Sequence, residues 1–190
     1  MMKFKTNPIG LRRERSRPAT ANASEFLMLA CRTFLALLLL TVAAQTIYAS
    51  EEADRAAIVN IIAAIEKGWE QADGTPFRKH YLDFEGARYV EGGGQNTGLD
   101  DLIGHHVEPE GDTLDGLDLV FSNIETHIEG GLAWAIADVE VKATIKSDGR
   151  QIHNRGYETF LFQSVSDEWK VIHTHSSSRP VKKAEPEHKH

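Results

Sequence analysis

Apolar positions along this chain fall into two rhythms. Over residues 52–71, Ile58, Ile61, Ile62, Ile65 and Trp69 recur at helical spacing, with Glu66, Lys67 and Glu70 on the opposite side. That predicts an amphipathic helix ending at Asp73-Gly74. Thr75-Pro76 reads as an N-cap followed by proline in the first turn of a short helix through Tyr81. Ala87–Glu91 reads as a brief strand, and Gly92-Gly93-Gly94 as a flexible turn that matches no phosphate-loop pattern. Thr97, with Asp100 three residues on, predicts the cap of a third helix in which Leu99, Leu102, Ile103 and His106 share a face and Pro109 is the stop. The rhythm then becomes two. Leu117–Glu129, Leu132–Thr144, Arg155–Ser164 and Trp169–Ser177 read as strands, and Ala133, Ala135, Ala137, Val139, Val141 and Ala143 alternate with more polar neighbours. Helices first, then long antiparallel strands, predicts an α+β domain in which the N-terminal helices pack against a curved sheet.

The first fifty residues have a different character. They hold seven basic and two acidic residues, and Thr33–Ala44 is a nearly wholly apolar run of twelve. A bilayer span needs about 20 apolar residues. A run of this length after a basic flank fits the core of a secretory signal, with small-residue exits at Ala44 and Ala49. Residues 1–50 are therefore expected to be a removed targeting segment, 51–180 the folded domain, and 181–190 a disordered charged tail. Met28 opens a shorter signal of ordinary proportions. The expected location is periplasmic or secreted, with no stable membrane association after cleavage.

Cys31, the one cysteine, lies in the leader, so the mature domain has neither disulfide nor thiolate chemistry. Taking the leader's seven basic and two acidic residues from totals of 21 and 28 leaves 14 and 26, a net charge of −12. Such a field repels nucleic acid and favours a small-molecule or cationic partner.

The last strand carries a recognisable string. Glu168-Trp169-Lys170-Val171-Ile172-His173-Thr174-His175-Ser176-Ser177 resembles the ending of the SnoaL-like branch of the NTF2-like superfamily. It is similar also to the ending of the calcium/calmodulin-dependent kinase II association domain. Asn123–Gly130 before the alanine-rich strand, Gly156-Tyr157-Glu158-Thr159, and His105-His106 with Pro109-Glu110 support the likeness, which covers most of residues 52–180. The resemblance implies a cone-shaped pocket between the first helices and the concave sheet, and homodimers formed through the sheet. It implies no single activity, since this fold hosts isomerases, cyclases, dehydratases, hub domains and plain binders.

Strand alternation puts His173 and His175 on the face that also carries Trp169 and Val171. His106 lies on the apolar face of its helix, and His105 is flanked by Asp101. Candidate ligand contacts are therefore His105, His106, Tyr157, Glu158, His173 and His175, with His173, His175 and Glu158 as candidates for acid–base catalysis. Three uses of the histidines stay open. They can hydrogen-bond Glu158, Asp101 or backbone at a pocket rim. They can move protons on an organic ligand, oriented by Glu158 or Glu140. Or His105, His106, His173 and His175 can hold zinc or copper. Trp134, Tyr157, Phe160 and Phe162 read first as core or dimer packing, and Arg155 and Arg179 as solvated strand ends. The leading expectation is an exported protein that binds a small, partly apolar molecule without a cofactor, as a binder or as a lyase, isomerase or hydrolase. The alternatives are a non-enzymatic copper or zinc binder and a homo-oligomeric assembly module.

Overall fold

The computed structural model describes residues 23–182, and the chain divides into two units, Met1–Thr46 and Ile47–His190. In the first, the backbone of residues 23–46 is helical. The expected tail falls almost wholly outside the described residues, as do the first 22 positions of the expected leader. Among the described residues no helix is long and apolar enough to cross a membrane.

The second unit holds the sheet. Its first helix is the end of α1, Ala23–Gln71. The amphipathic stretch thus has no break at residue 52, because no proline and, before Gly68, no glycine interrupts it. Ile58, Ile62 and Ile65 are fully buried, each contributing about 1.5–3 kcal/mol of apolar burial. Helix α2, Thr75–His80, packs Phe77 inward. Thr75 is its first residue rather than its cap: Gly74 holds the cap position, and the Thr75 N–H donates to Asp73 Oδ1 at 2.9 Å.

Strands β1, Arg88–Glu91, and β2, Gly94–Thr97, form a hairpin across Gly92 and Gly93. Both turn residues have positive φ, +53° and +92°, the combination a two-residue hairpin turn requires and glycine supplies most easily. Thr97 belongs to β2 and does not cap a helix; its N–H donates to Asp101 Oδ2 at 2.8 Å. Helix α3, Leu99–Leu102, widens into a π-helical turn at Ile103–Val107 and continues as α4, Glu108–Thr113. Pro109 therefore does not end the helix. It sits in the first turn of α4, where an N–H is not needed.

Four long strands follow: β3, Leu114–Glu129; β4, Leu132–Ile145; β5, Gln151–Val165; and β6, Glu168–Pro180. The sheet order is β2-β1-β6-β5-β4-β3, antiparallel except for the β1–β6 pair. On the inner face, Ala133, Ala135 and Ala137 of β4 and Phe160 and Phe162 of β5 join the helical residues in one core. Trp169 Nε1 donates to Asp54 Oδ1 at 2.9 Å, and Glu66 Oε2 accepts from the Phe121 N–H at 2.7 Å, so helix and sheet are also bonded directly.

Three one-residue bulges bend the sheet. Two lie in β3, between Asp115 and Asp118 and between Ser122 and Asn123-Ile124-Glu125, with Gly116 and Asn123 at positive φ. The third lies in β6. Phe162 pairs with Val171, but Leu161 pairs with His173, leaving Ile172 as the extra residue.

Candidate functional site

That third bulge decides where the histidines go. Before it, Trp169 and Val171 face the core; after it the inward positions are Thr174 and Ser176, opposite Phe160 and Glu158. His173 and His175 are turned to the outer face, because one extra residue reverses every side chain beyond it. The expectation that they share a face with Trp169 and Val171 is corrected accordingly. His173 Nδ1 lies 2.6 Å from the Arg88 carbonyl oxygen, and His175 is exposed. His105 also points to solvent, bonded to Asp101 at 2.7 Å. Tyr157 is 63% exposed on the outer face. The four histidines do not converge, and among the described residues no group of three or more His, Cys, Asp or Glu side chains is arranged to hold a metal ion.

The structure brings two of the expected residues, His106 and Glu158, into the lining of one cavity of about 190 Å³ between the helices and the inner sheet face. One wall is apolar: Leu117, Leu119, Phe121, Val139, Val141 and Ile152 from β3, β4 and the start of β5. The other carries the polar groups: Tyr81, Tyr89, Glu91, Asn96, His106, Glu110, Glu158, Thr174 and Ser176. A run of ring contacts joins its two ends, His106 to Trp69 at 5.0 Å, Trp69 to Phe77 at 5.2 Å, Phe77 to Tyr81 at 5.4 Å and Tyr81 to Tyr89 at 5.1 Å. An engineered apolar cavity of about 150 Å³ holds benzene, so this one suits a single ring with a substituent or two.

The electrostatics of the polar wall follow from burial. Glu158 is 9% exposed, and loss of solvent pushes its carboxyl up to about 8. The hydrogen bond to Ser176 works against that rise, and the nearby Glu91 charge adds to it. It is a protonated acid at neutral pH. Tyr81, hydrogen-bonded to Thr174, is raised well above the ordinary phenol range, chiefly by burial and then by Glu158. Burial lifts Tyr89 to about 12, and its hydroxyl, in a residue 2% exposed, has no hydrogen-bond partner among the described residues. Glu110 is raised to about 7 by burial and by Glu91.

His106 sits at the exposed end. Its Nδ1 lies 3.1 Å from Asn96 Oδ1, and its Nε2 3.2 Å from Glu91 and 3.8 Å from Glu110. The π-helical turn and the β1–β2 hairpin hold it from two sides. Sequence reasoning missed Tyr81, Tyr89, Glu91 and Glu110. The Gly92-Gly93 pair between two short polar-apolar runs is a hairpin signal, and it would have drawn Glu91 and Asn96 toward the site.

A wider hollow of about 580 Å³ on the outer face is lined by Asp138, Glu140, Arg155, Tyr157, Ser177 and Arg179, among others. Glu140 accepts from Arg155 at 3.0 Å and meets His153 at 2.7 Å and Lys142 at 3.2 Å, which together hold its carboxyl down at about 2. Asp138 accepts from Asn123 at 2.7 Å. These carboxylates are satisfied by neighbours, so Glu140 is not an orienting partner for the pocket. The inner cavity, with a buried acid and an unpartnered hydroxyl, is the stronger site.

The family model for the SnoaL-like domain matches residues 55–182. No curated protein matches the chain in sequence. Among solved structures, an NTF2-like superfamily protein from Salmonella enterica aligns with a TM-score of 0.63 at 17% identity, over 74% of this chain and 99% of that one. The structure named LinA gives 0.60 at 15%, over 72% and 97%. A candidate dehydratase of the NTF2-like family from Streptomyces avermitilis gives 0.57 at 15%, over 70% and 99%. At these identities the likeness carries the fold alone. Family and fold agree over the region that holds the helices, the sheet and the cavity, and the chain belongs to the SnoaL-like domain family, with the fold seen in NTF2-like proteins.

Proposed function

We propose that the domain binds a small, partly apolar, oxygen-bearing molecule in the inner cavity and carries out cofactor-free proton chemistry on it, of the isomerase or lyase kind. The observation that carries this is Glu158, a buried carboxyl kept protonated at neutral pH beside Tyr81 in a cavity whose other wall is aliphatic and aromatic. A neutral acid donates a hydrogen bond to a carbonyl or alkoxide oxygen and stabilises the charge that grows there. His106, in the same lining, has its ring nitrogens engaged by Asn96 and Glu91 and holds those groups in place, while the carboxylates of Glu91 and Glu110 offer oxygens that can take a proton from carbon. In an enolisation the carbon–hydrogen bond breaks toward a carboxylate of the polar wall, Glu91 or Glu110, while Glu158 donates to the oxygen. The candidate dehydratase among the similar folds is compatible with chemistry of this class.

Exchange of the α-protons of cyclohexanone into deuterium oxide, followed by proton NMR, tests the reading. The wild type accelerates the exchange, and Glu158→Gln lowers the rate by about 10²-fold or more. Equal rates with and without the protein would remove the catalytic half of the proposal. We further propose that the protein is exported, on the basis of the apolar run Thr33–Ala44 after its basic flank. A homodimer through the outer sheet face is also proposed, because Leu132, Trp134, Ile136 and Leu161 are exposed there together.

A further inference from the structure

The charges around the cavity are lopsided. Glu91, Glu110 and Glu158 line it, and neither lysine nor arginine does. Glu91 and Glu110 both approach the Nε2 of His106, at 3.2 and 3.8 Å, so one imidazole is the sole basic group among the lining residues to face two carboxyl groups. Trp69 presents its ring beside the same imidazole. Tyr89, also in the lining, carries a buried hydroxyl with no hydrogen-bond partner among the described residues.

We propose that the cavity selects a single-ring molecule bearing a protonated amine, with the ammonium at Glu91 and Glu110 and the ring against the apolar wall. The inference deepens the proposed function and rests on its premise that the cavity is a binding site. An ammonium has three donors and no acceptor, which matches carboxylates that have no lysine or arginine partner here. The Trp69 ring adds cation–π attraction. A carboxylate-bearing ligand would face the Glu91 and Glu110 carboxyls at that end and is disfavoured there.

Isothermal titration of the full chain at neutral pH with benzylamine, benzyl alcohol and benzoate reads this directly, because the three differ little except in charge. Benzylamine should bind about tenfold or more tightly than benzyl alcohol, a difference of about 1.4 kcal/mol, and benzoate should not bind. In Glu110→Gln the ratio between benzylamine and benzyl alcohol should fall close to one. Glu91→Gln, at a half-exposed position on the hairpin, provides the same reading if Glu110→Gln does not fold. Benzyl alcohol binding as well as benzylamine, or a ratio unchanged in both variants, would overturn the amine proposal while leaving the cavity as a binding site. Binding of none of the three would overturn both.

Discussion

Among the residues that line the inner cavity, Glu158 has the most displaced carboxyl. A carboxyl that titrates near 4.5 when unfolded and near 8 when folded binds its proton more tightly in the native state. Between those values folding takes up a proton, so stability contributed at low pH is lost as the pH rises from about 5 to 8. The melting temperature of the wild type should fall across that window, and that of Glu158→Gln should fall less. Equal slopes would show that Glu158 ionises normally. Tyr89→Phe tests the neighbouring hydroxyl from the other side. Removing a buried donor with no partner should leave the free protein as stable or more stable by about 1 kcal/mol, and should weaken ligand binding. A loss of stability in calorimetry would mean that the hydroxyl is already satisfied. Glu158 and His106 were legible in the sequence because a Gly-Tyr-Glu-Thr strand and a helix face announced them. Tyr81, Tyr89 and Glu110 were not: Tyr81 and Tyr89 reach the lining through pairings with β6 that span over eighty residues, and Glu110 lies on a helix that continues past Pro109.

At the element scale, alternation read the four long strands correctly and failed where a strand changes phase. Nothing in Val171-Ile172-His173 marks Ile172 as an inserted residue: a bulge is a property of the pairing with β5, which a single strand does not carry. The face of β6 that holds Trp169 was therefore legible, and the face of His173 and His175 was not. The helical segments show the same limit. Leu99, Leu102 and Ile103 were placed inward by spacing and are buried, whereas the continuation past Pro109 depends on a widened turn. One close approach offers a sharp test of the β5–β6 pairing. A Cβ on Gly156 would collide with the Ser177 carbonyl oxygen. Gly156→Ala should therefore destabilise the domain by about 2 kcal/mol or more, as overpacking against a backbone that cannot yield does. A change within about 0.5 kcal/mol in urea titration would mean that the two strands separate more easily than their register implies.

At the scale of the whole molecule, both faces of the sheet carry apolar residues. The inner one is covered by the helices. On the outer one, Trp134 stacks on His127 at 5.1 Å but remains 36% exposed, next to Ile136 and Leu161. A second copy of the chain is the simplest cover for such a face. Light scattering at micromolar concentration should give a dimer mass, and Trp134→Lys should shift it toward the monomer with little change in the inner cavity. A monomeric wild type would count against the dimer. The α+β class and the run of long antiparallel strands from β3 to β6 were readable from rhythm, and their order in the sheet follows their order in the sequence. The parallel return of β1 beside β6 leaves no local trace.

The central claim is that a protonated acid lines a cavity that takes a small ligand. A carbon-13 NMR titration of the Glu158 side-chain carboxyl, run with and without benzyl alcohol, tests it in one experiment. The midpoint should lie near 8 in the free protein and be displaced when benzyl alcohol is added. A midpoint near 4.5 that the alcohol does not move would contradict it.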